Sequence, residues 1–235
     1  MDILKILLLL AVTLIPGYAV FKGNYQNKKW VKPLLSLSGS FLLALSFCHL
    51  LPEAYHSIGS TTGIYVLAGF FLQVFLESMT KGVEHGHYHA HGQFSKYFPL
   101  LAIGGLTIHS IMEALPLGGG IHDHHHSYLT GIAMHKFPIA LTLASILHNT
   151  PISLGKKWLW FLIFAISAPL ILAIHPLLPE EMLSEEMLAG FSALAVGIFL
   201  HVSTTILFEM EDGHRLKPAK LGAIVLGLAI YFLTQ

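Results

Sequence analysis

Ionisable residues stand inside two apolar stretches of this chain. His109 and Glu113 lie four residues apart within residues 98–117, and His135 and Lys136 are neighbours in a later stretch. Residues i and i+4 share one face of a helix, so the His109 imidazole and the Glu113 carboxylate would face the same point. Both groups are ligands for divalent metals. Because ionisable side chains inside a bilayer usually mark a substrate path, this pattern predicts a metal site on a route through a membrane.

The composition predicts a polytopic membrane protein. Hydrophobic residues make up 54% of the 235 residues and charged residues only 11%, against about 25% charged residues in soluble domains. Net charge is zero, which gives no reason to expect a nucleic-acid partner. Cys48 is the single cysteine, so an intramolecular disulfide is excluded and the redox compartment stays open. The 16 histidines are the unusual feature of the composition.

Eight apolar segments predict an all-α protein with eight transmembrane helices, because most have roughly the 17–25 residues that a spanning helix needs. The segments are residues 3–21, 34–55, 63–80, 98–117, 131–149, 158–178, 187–208 and 221–233. The last is short for a span. No polar linker between them is long enough to separate two domains, so residues 1–235 are predicted to form one transmembrane domain.

Lysine and arginine positions predict the orientation, since cytoplasmic loops carry an excess of basic residues. Only Lys5 lies on the opposite side, and Lys136 lies inside a segment. Both termini are therefore expected outside. The basic residues assigned to the inner side are Lys22, Lys28, Lys29, Lys32, Lys81, Lys96, Lys156, Lys157, Arg215, Lys217 and Lys220.

Histidines and acids also gather in the loops. The inner loop 81–97 holds four histidines between residues 85 and 91, and an outer loop has four histidines and one aspartate at 122–126. Histidine-rich tracts are typical of metal binding, although a solubilising loop is the plainer interpretation. Four glutamates at 180–186 give the outer side an acidic mouth that would concentrate cations. These glutamates could equally be ordinary polar loop residues.

Further candidate ligands lie on the second and seventh segments. His49 and Glu53 repeat the i, i+4 spacing near the outer face. His201 lies near the middle of the seventh segment and Glu209 at its inner end. These residues could support the central site, gate it or bind metal on exit. The alternative for every such pair is a hydrogen bond that only joins helices.

Three motifs in order give the chain a family resemblance. They are His-Leu-Leu-Pro-Glu-Ala at 49–54, His-Ser-x-x-Glu at 109–113 and His-Lys-x-Pro at 135–138. With eight segments and a histidine-rich inner loop, the chain resembles the ZIP (Zrt/Irt-like) family of divalent-metal transporters over essentially its whole length. The resemblance implies a ZIP-like helix bundle, a homodimer and movement of the fourth and fifth helices against the rest. It implies a transport site of His109, Glu113 and His135, with Ser110 at the edge of a second metal position.

The chain departs from the family pattern on the fifth segment. Many members have an acid beside the first ligand there and a glutamate or histidine four residues after it, where this chain has Lys136 and Ile139. The Lys136 ammonium could occupy the place of a second cation and balance Glu113, which predicts a site for one ion. Alternatively, Lys136 could extend to the lipid headgroups.

The expected function is import of a divalent transition metal into the cytoplasm, with Zn²⁺ as substrate and Fe²⁺, Mn²⁺ or Cd²⁺ as other candidates. The expected location is the cell membrane, which would be the inner membrane in a Gram-negative bacterium, with the lipid bilayer as surroundings. No enzymatic activity is expected. One alternative is a membrane-embedded metal-dependent hydrolase or hydroxylase, which would need a closed ligand set and an open coordination position. A metal sensor is disfavoured because the sequence has no soluble output domain.

Overall fold

The described part of the chain is almost entirely helical. The structure, a computed structural model, describes residues 3–23, 30–85, 98–118, 125–179, 184–208 and 217–234. Short 3₁₀ turns connect or extend several helices. The α-helices are α1 (Ile3–Gly23), α2 (Val31–Leu45), α3 (Leu51–Ile58), α4 (Thr62–Thr80), α5 (Phe98–Ala114), α6 (His125–His148), α7 (Leu154–Ile174), α8 (Glu185–Phe208) and α9 (Pro218–Leu233).

Six helical stretches among the described residues are long and apolar enough to cross a membrane. One of them, Val31–Thr80, has 50 residues, more than twice the ~20 that one crossing requires. Gly59 interrupts it with a φ of 57°, a left-handed conformation that glycine adopts without strain. The helix Pro218–Leu233 is apolar but shorter. The multi-pass architecture is therefore confirmed, while eight crossings and outward termini stay predictions.

Two helices differ from the predicted segments. The second segment is not one regular α-helix, because a π-helical turn at Ser46–Leu50, which carries His49, joins α2 to α3. Such turns are frequent at functional sites. The fifth segment was predicted to begin at residue 131, but α6 begins at His125. Its first turns are polar, so the apolar segment begins only at residue 131.

The buried core consists of two apolar clusters with a polar layer between them. On α5 the polar residues lie between Leu106 of one cluster and Ala114 of the other, and on α6 between Ile132 and Ile139. Buried polar groups without partners are costly. A polar layer in mid-helix, closed by apolar side chains on both sides, is therefore the part of the fold that calls for a functional explanation.

Helices α4 and α8 approach each other closely through two glycines. A Cβ atom at Gly69 would lie 2.0 Å from the Leu194 carbonyl oxygen, and one at Gly197 would lie 2.0 Å from the Val66 carbonyl oxygen. Small residues allow backbones to meet in membrane helix pairs. Because α4 carries Gln73 and Glu77 and α8 carries His201, this contact sets the distance between the polar residues of the two helices.

Gly69→Ala and Gly197→Ala are each expected to lower the free energy of unfolding by about 1–3 kcal/mol, because the added methyl group must push two backbones apart. Thermal unfolding of the purified protein in detergent measures the effect. The matched control is Gly155→Ala on α7, where a Cβ atom meets nothing within 4 Å. Equal melting temperatures for Gly69→Ala and the control would contradict the assigned packing.

Candidate metal centre

The polar layer contains a compact group of possible metal ligands from α5 and α6. His109 Nε2 lies 2.8 Å from Glu113 Oε1, and His135 Nε2 lies 3.8 Å from the same oxygen. One ligand atom from each of the three residues lies within 4.8 Å of the others. All three side chains are buried. The i, i+4 spacing on α5 thus produces the shared face that the sequence predicted, and α6 adds His135 to it.

The ligand atoms of this group lack ordinary hydrogen-bond partners. His109 Nε2, Glu113 Oε1 and His135 Nε2 are buried and accept or donate no hydrogen bond of good geometry. In folded proteins such atoms are nearly always satisfied, and each exception needs an explanation. Two imidazole nitrogens and a carboxylate oxygen are a common zinc ligand set. A divalent cation between them would satisfy all three.

Lys136 is paired with the other oxygen of the same carboxylate. Its ammonium lies 3.3 Å from Glu113 Oε2 and donates a hydrogen bond of 2.6 Å to Ser110 Oγ. Ser110 Oγ also lies 2.6 Å from Ser167 Oγ on α7. Lys136 is only 1% exposed, so the alternative in which it extends to the headgroups is wrong. The two oxygens of the Glu113 carboxylate therefore have different neighbours. Oε1 faces the imidazoles and Oε2 faces the ammonium.

Neighbouring helices hold this group in place. On α4, the side chain of Gln73 places its Oε1 2.8 Å from His109 Nδ1. On α6, the Tyr128 hydroxyl donates a hydrogen bond of 2.9 Å to the main-chain carbonyl of Glu113. That carbonyl lies in the last turn of α5, where carbonyls lose their helical partners. The tyrosine therefore anchors the end of the helix that carries both His109 and Glu113.

A second group of possible ligands lies between α4, the turn after it and α8. Glu77 Oε1 lies 3.4 Å from His85 Nε2, and Glu77 Oε2 lies 3.3 Å from His201 Nε2. Their ligand atoms also fall within 4.8 Å of one another. His85 and His201 are buried, whereas the Glu77 side chain is 30% exposed. This group is thus more accessible than the first.

A tight turn brings His85 back against α4. Lys81 ends the helix with a φ of 53° and Gly82 follows with a φ of 77°. A left-handed residue after a helix is a common way to reverse the chain. The reversal buries Glu84, whose Oε2 accepts a hydrogen bond from the Thr80 hydroxyl. His85, the next residue, then faces Glu77 on the preceding helix.

Two of the remaining predicted residues, His49 and Glu53, join neither group. His49 and Glu53 form a pair of their own, with His49 Nε2 and Glu53 Oε2 3.6 Å apart and both side chains partly exposed. His201 belongs to the second group rather than the central one. Glu209 lies outside the described residues, as do most of the histidine-rich runs at 85–91 and 122–126.

Sequence reasoning missed Gln73, Glu77 and Glu84. Gln73 lies in an apolar segment, and a polar amide at such a position could have been recognised as a candidate functional residue. Glu77 was less visible, because it lies near the inner end of its segment, where charged residues are ordinary. One partner, His85, is brought back by the turn after α4, and the other, His201, is distant in sequence and comes from tertiary packing.

Fold and site together describe a multi-pass helical membrane protein with a buried group of divalent-metal ligands. Residues 1–97 match the family model of the ZIP zinc transporters. The match confirms the resemblance to the ZIP family over these residues, which are fewer than half of the 235 in the chain. No curated protein matches the chain. ZIP proteins are transporters of divalent metals rather than enzymes, and at that level the match supports a metal transporter in a membrane. The matched residues end before α5, so the ligands on α5 and α6 rest on geometry and motif alone.

Proposed function

We propose that this protein imports a divalent transition metal, Zn²⁺ first, into the cytoplasm, and that His109, Glu113 and His135 form its transport site. The observation that carries the proposal is the set of buried, unsatisfied ligand atoms within 4.8 Å of one another on two apolar helices. Imidazole and carboxylate ligands suit Zn²⁺, and Fe²⁺, Mn²⁺ and Cd²⁺ remain candidate substrates.

The burial of this site favours a carrier over an open pore. Apolar clusters lie on both sides of the polar layer, and the three ligand side chains are at most 1% exposed. An ion cannot reach such a site unless helices move. Movement of α5 and α6 against the other helices is what the family resemblance implies, and it would open the site to each side in turn.

The second group offers a release position. We infer that a metal ion leaving the first site would meet Glu77, His85 and His201, because this group also combines two imidazoles with one carboxylate and is partly exposed. In the predicted orientation it lies on the inner side, close to the histidine-rich loop 81–97. His49 and Glu53 lie towards the outer side in that orientation, where they would meet an entering ion.

Several finer features of the proposal rest on the resemblance or on the charge pattern. These are a homodimer, outward termini, and a place in the cell membrane, which is the inner membrane in a Gram-negative bacterium. Lys136 adds a feature specific to this chain. Since its ammonium already balances Glu113 across 3.3 Å, we propose that the transport site holds one metal ion.

Metal uptake by reconstituted vesicles tests the proposed function. Vesicles that contain the purified protein and an internal zinc-sensitive dye are expected to show saturable uptake, which Cd²⁺ or Fe²⁺ reduces and Mg²⁺ does not, because Mg²⁺ prefers oxygen ligands and retains its water. Protein-free vesicles are the control. Accumulation of zinc by intact cells that express the chain tests the direction. Uptake no faster than in protein-free vesicles would exclude a transporter and favour the membrane-embedded hydrolase or hydroxylase.

A further inference from the structure

We propose that Gln73 is a positioning residue that fixes the tautomer and orientation of His109 and thereby sets the zinc affinity of the transport site. The inference rests on the proposed function and extends it to a residue on α4, outside the helices that carry the ligands. Gln73 is completely buried in a helix that is otherwise apolar at this depth. A buried amide in such a helix needs partners, and the two that it has determine which way it points.

The first partner is His109. The Nδ1 atom of its ring lies 2.8 Å from Gln73 Oε1. A carboxamide oxygen can only accept a hydrogen bond, so Nδ1 must carry the proton and donate it. In a neutral imidazole the other nitrogen is then unprotonated. That nitrogen, Nε2, is the atom 2.8 Å from Glu113 Oε1. Gln73 therefore keeps the lone pair of His109 on Nε2, the ring nitrogen that faces Glu113 and can bind the metal.

The second partner removes the ambiguity between the oxygen and nitrogen of the amide. Gln73 Nε2 donates a hydrogen bond of 3.3 Å to Glu84 Oε1, and the Thr80 hydroxyl donates to the other oxygen of Glu84. Both oxygens of Glu84 thus accept hydrogen bonds, and the amide nitrogen of Gln73 is the donor to one of them. The oxygen of the amide is left to face His109. The hydrogen-bonded chain runs from Thr80 through Glu84 and Gln73 to the ring of His109.

Gln73 thus acts like the hydrogen-bond partners that orient metal-binding histidines in other proteins. Such partners fix the ring and typically contribute 10–100-fold in metal affinity or activity. His109 belongs to α5 and Gln73 to α4, so the orienting contact crosses from one helix to another. The affinity of the site therefore depends on how α5 sits against α4, and relative movement of these helices would release the ring and weaken the hold on the ion.

Equilibrium zinc binding to the purified full-length protein, measured by competition with a chelator, tests the proposal. The measurement uses a background variant that lacks Glu77, His201 and the loop histidines, so that the second ligand group and the loops do not contribute. Gln73→Leu keeps the approximate volume and removes the acceptor, and we expect it to lower zinc affinity by about 10–100-fold. The exchange Gln73→Glu with Glu84→Gln keeps an acceptor for His109 and a donor beside it, and it is expected to retain affinity within a few-fold of the background protein.

A double-mutant cycle with His109→Ala separates orientation from general packing. If Gln73 acts through the His109 ring, Gln73→Leu causes no further loss of affinity once His109 is absent. An equal loss with and without His109, or a Gln73→Leu protein within twofold of the background affinity, would overturn the proposal. If Gln73→Leu does not fold, Gln73→Asn provides the same comparison, since its shorter amide cannot reach the ring. A His109→Ala protein with unchanged zinc affinity would instead refute the proposed transport site itself.

Discussion

Replacement of His109 or Glu113 by alanine is expected to reduce zinc flux by about 100-fold or more. Residues that only orient a metal ligand contribute 10–100-fold, and the removal of a ligand should cost at least as much. In the buried polar layer, His109 Nε2 lies 2.8 Å from Glu113 Oε1, so both residues would bind the same ion. Initial rates of zinc entry into vesicles, normalised to the amount of inserted protein, measure the loss.

The controls for this experiment follow from the ion pair with Lys136. Glu113→Ala leaves a buried ammonium without its partner, and an unpaired buried charge is strongly destabilising. The Glu113→Ala, Lys136→Met double variant removes both charges and should fold more readily while remaining inactive. His148→Ala, a partly exposed histidine at the end of α6, is the matched control and should transport at the wild-type rate. Near wild-type flux in both His109→Ala and Glu113→Ala would place the site elsewhere.

The local parts of this architecture could be predicted from the sequence. Apolar length identifies the helices, because each must satisfy its own backbone groups in lipid. The spacing of His109 and Glu113 is likewise local, since residues four apart share a helix face in any environment. The start of α6 was predicted six residues too late for a related reason. Its first turn is polar, so it gives no apolar signal. That turn contains Tyr128, whose hydroxyl anchors the end of α5.

The contacts between distant residues could not be predicted in this way. The Glu77, His85 and His201 group depends on the left-handed turn at Lys81 and Gly82 and on the close approach of α4 to α8. Neither the turn nor the helix pairing has a periodic signature. The orientation of Lys136 also depended on tertiary structure. The ammonium is buried because Glu113 and Ser110, both on α5, lie within reach of it. Without the packing of α5 against α6, an ammonium in the headgroups would be equally consistent with the sequence.

The Lys136 ammonium now has a specific consequence for the number of ions. Its nitrogen lies 3.3 Å from Glu113 Oε2, on the opposite side of the carboxylate from the imidazoles. A carboxylate that bridges two metals would offer this oxygen to the second one. Here the Lys136 side chain occupies that side, and as an ammonium it would keep the site neutral when no metal is bound. Since an unpaired buried charge is costly, this neutrality would ease the passage of the empty site through the membrane.

Lys136→Asp, alone or together with Ile139→Glu, is therefore expected to raise the occupancy of the transport site from one zinc ion to two. The substitution removes the ammonium from beside Glu113 Oε2 and leaves a carboxylate on α6 that can serve as a ligand of a second ion, and Ile139→Glu adds a ligand one turn further along α6. Anomalous scattering from crystals at saturating zinc locates the ions individually. The metal-to-protein ratio in solution requires a variant that lacks Glu77, His201 and the loop histidines, because these would bind additional zinc.

Lys136→Met separates the two effects of the lysine. It removes the charge without adding a ligand, so the site should still hold a single ion. That ion should bind more tightly than in the wild type, because the repulsion between the ammonium and the metal is gone. In the absence of zinc the same variant leaves Glu113 buried and unpaired, so its melting temperature should fall and zinc should restore it. Two zinc ions between α5 and α6 of the wild-type protein would refute the assignment of Lys136 to the place of the second cation.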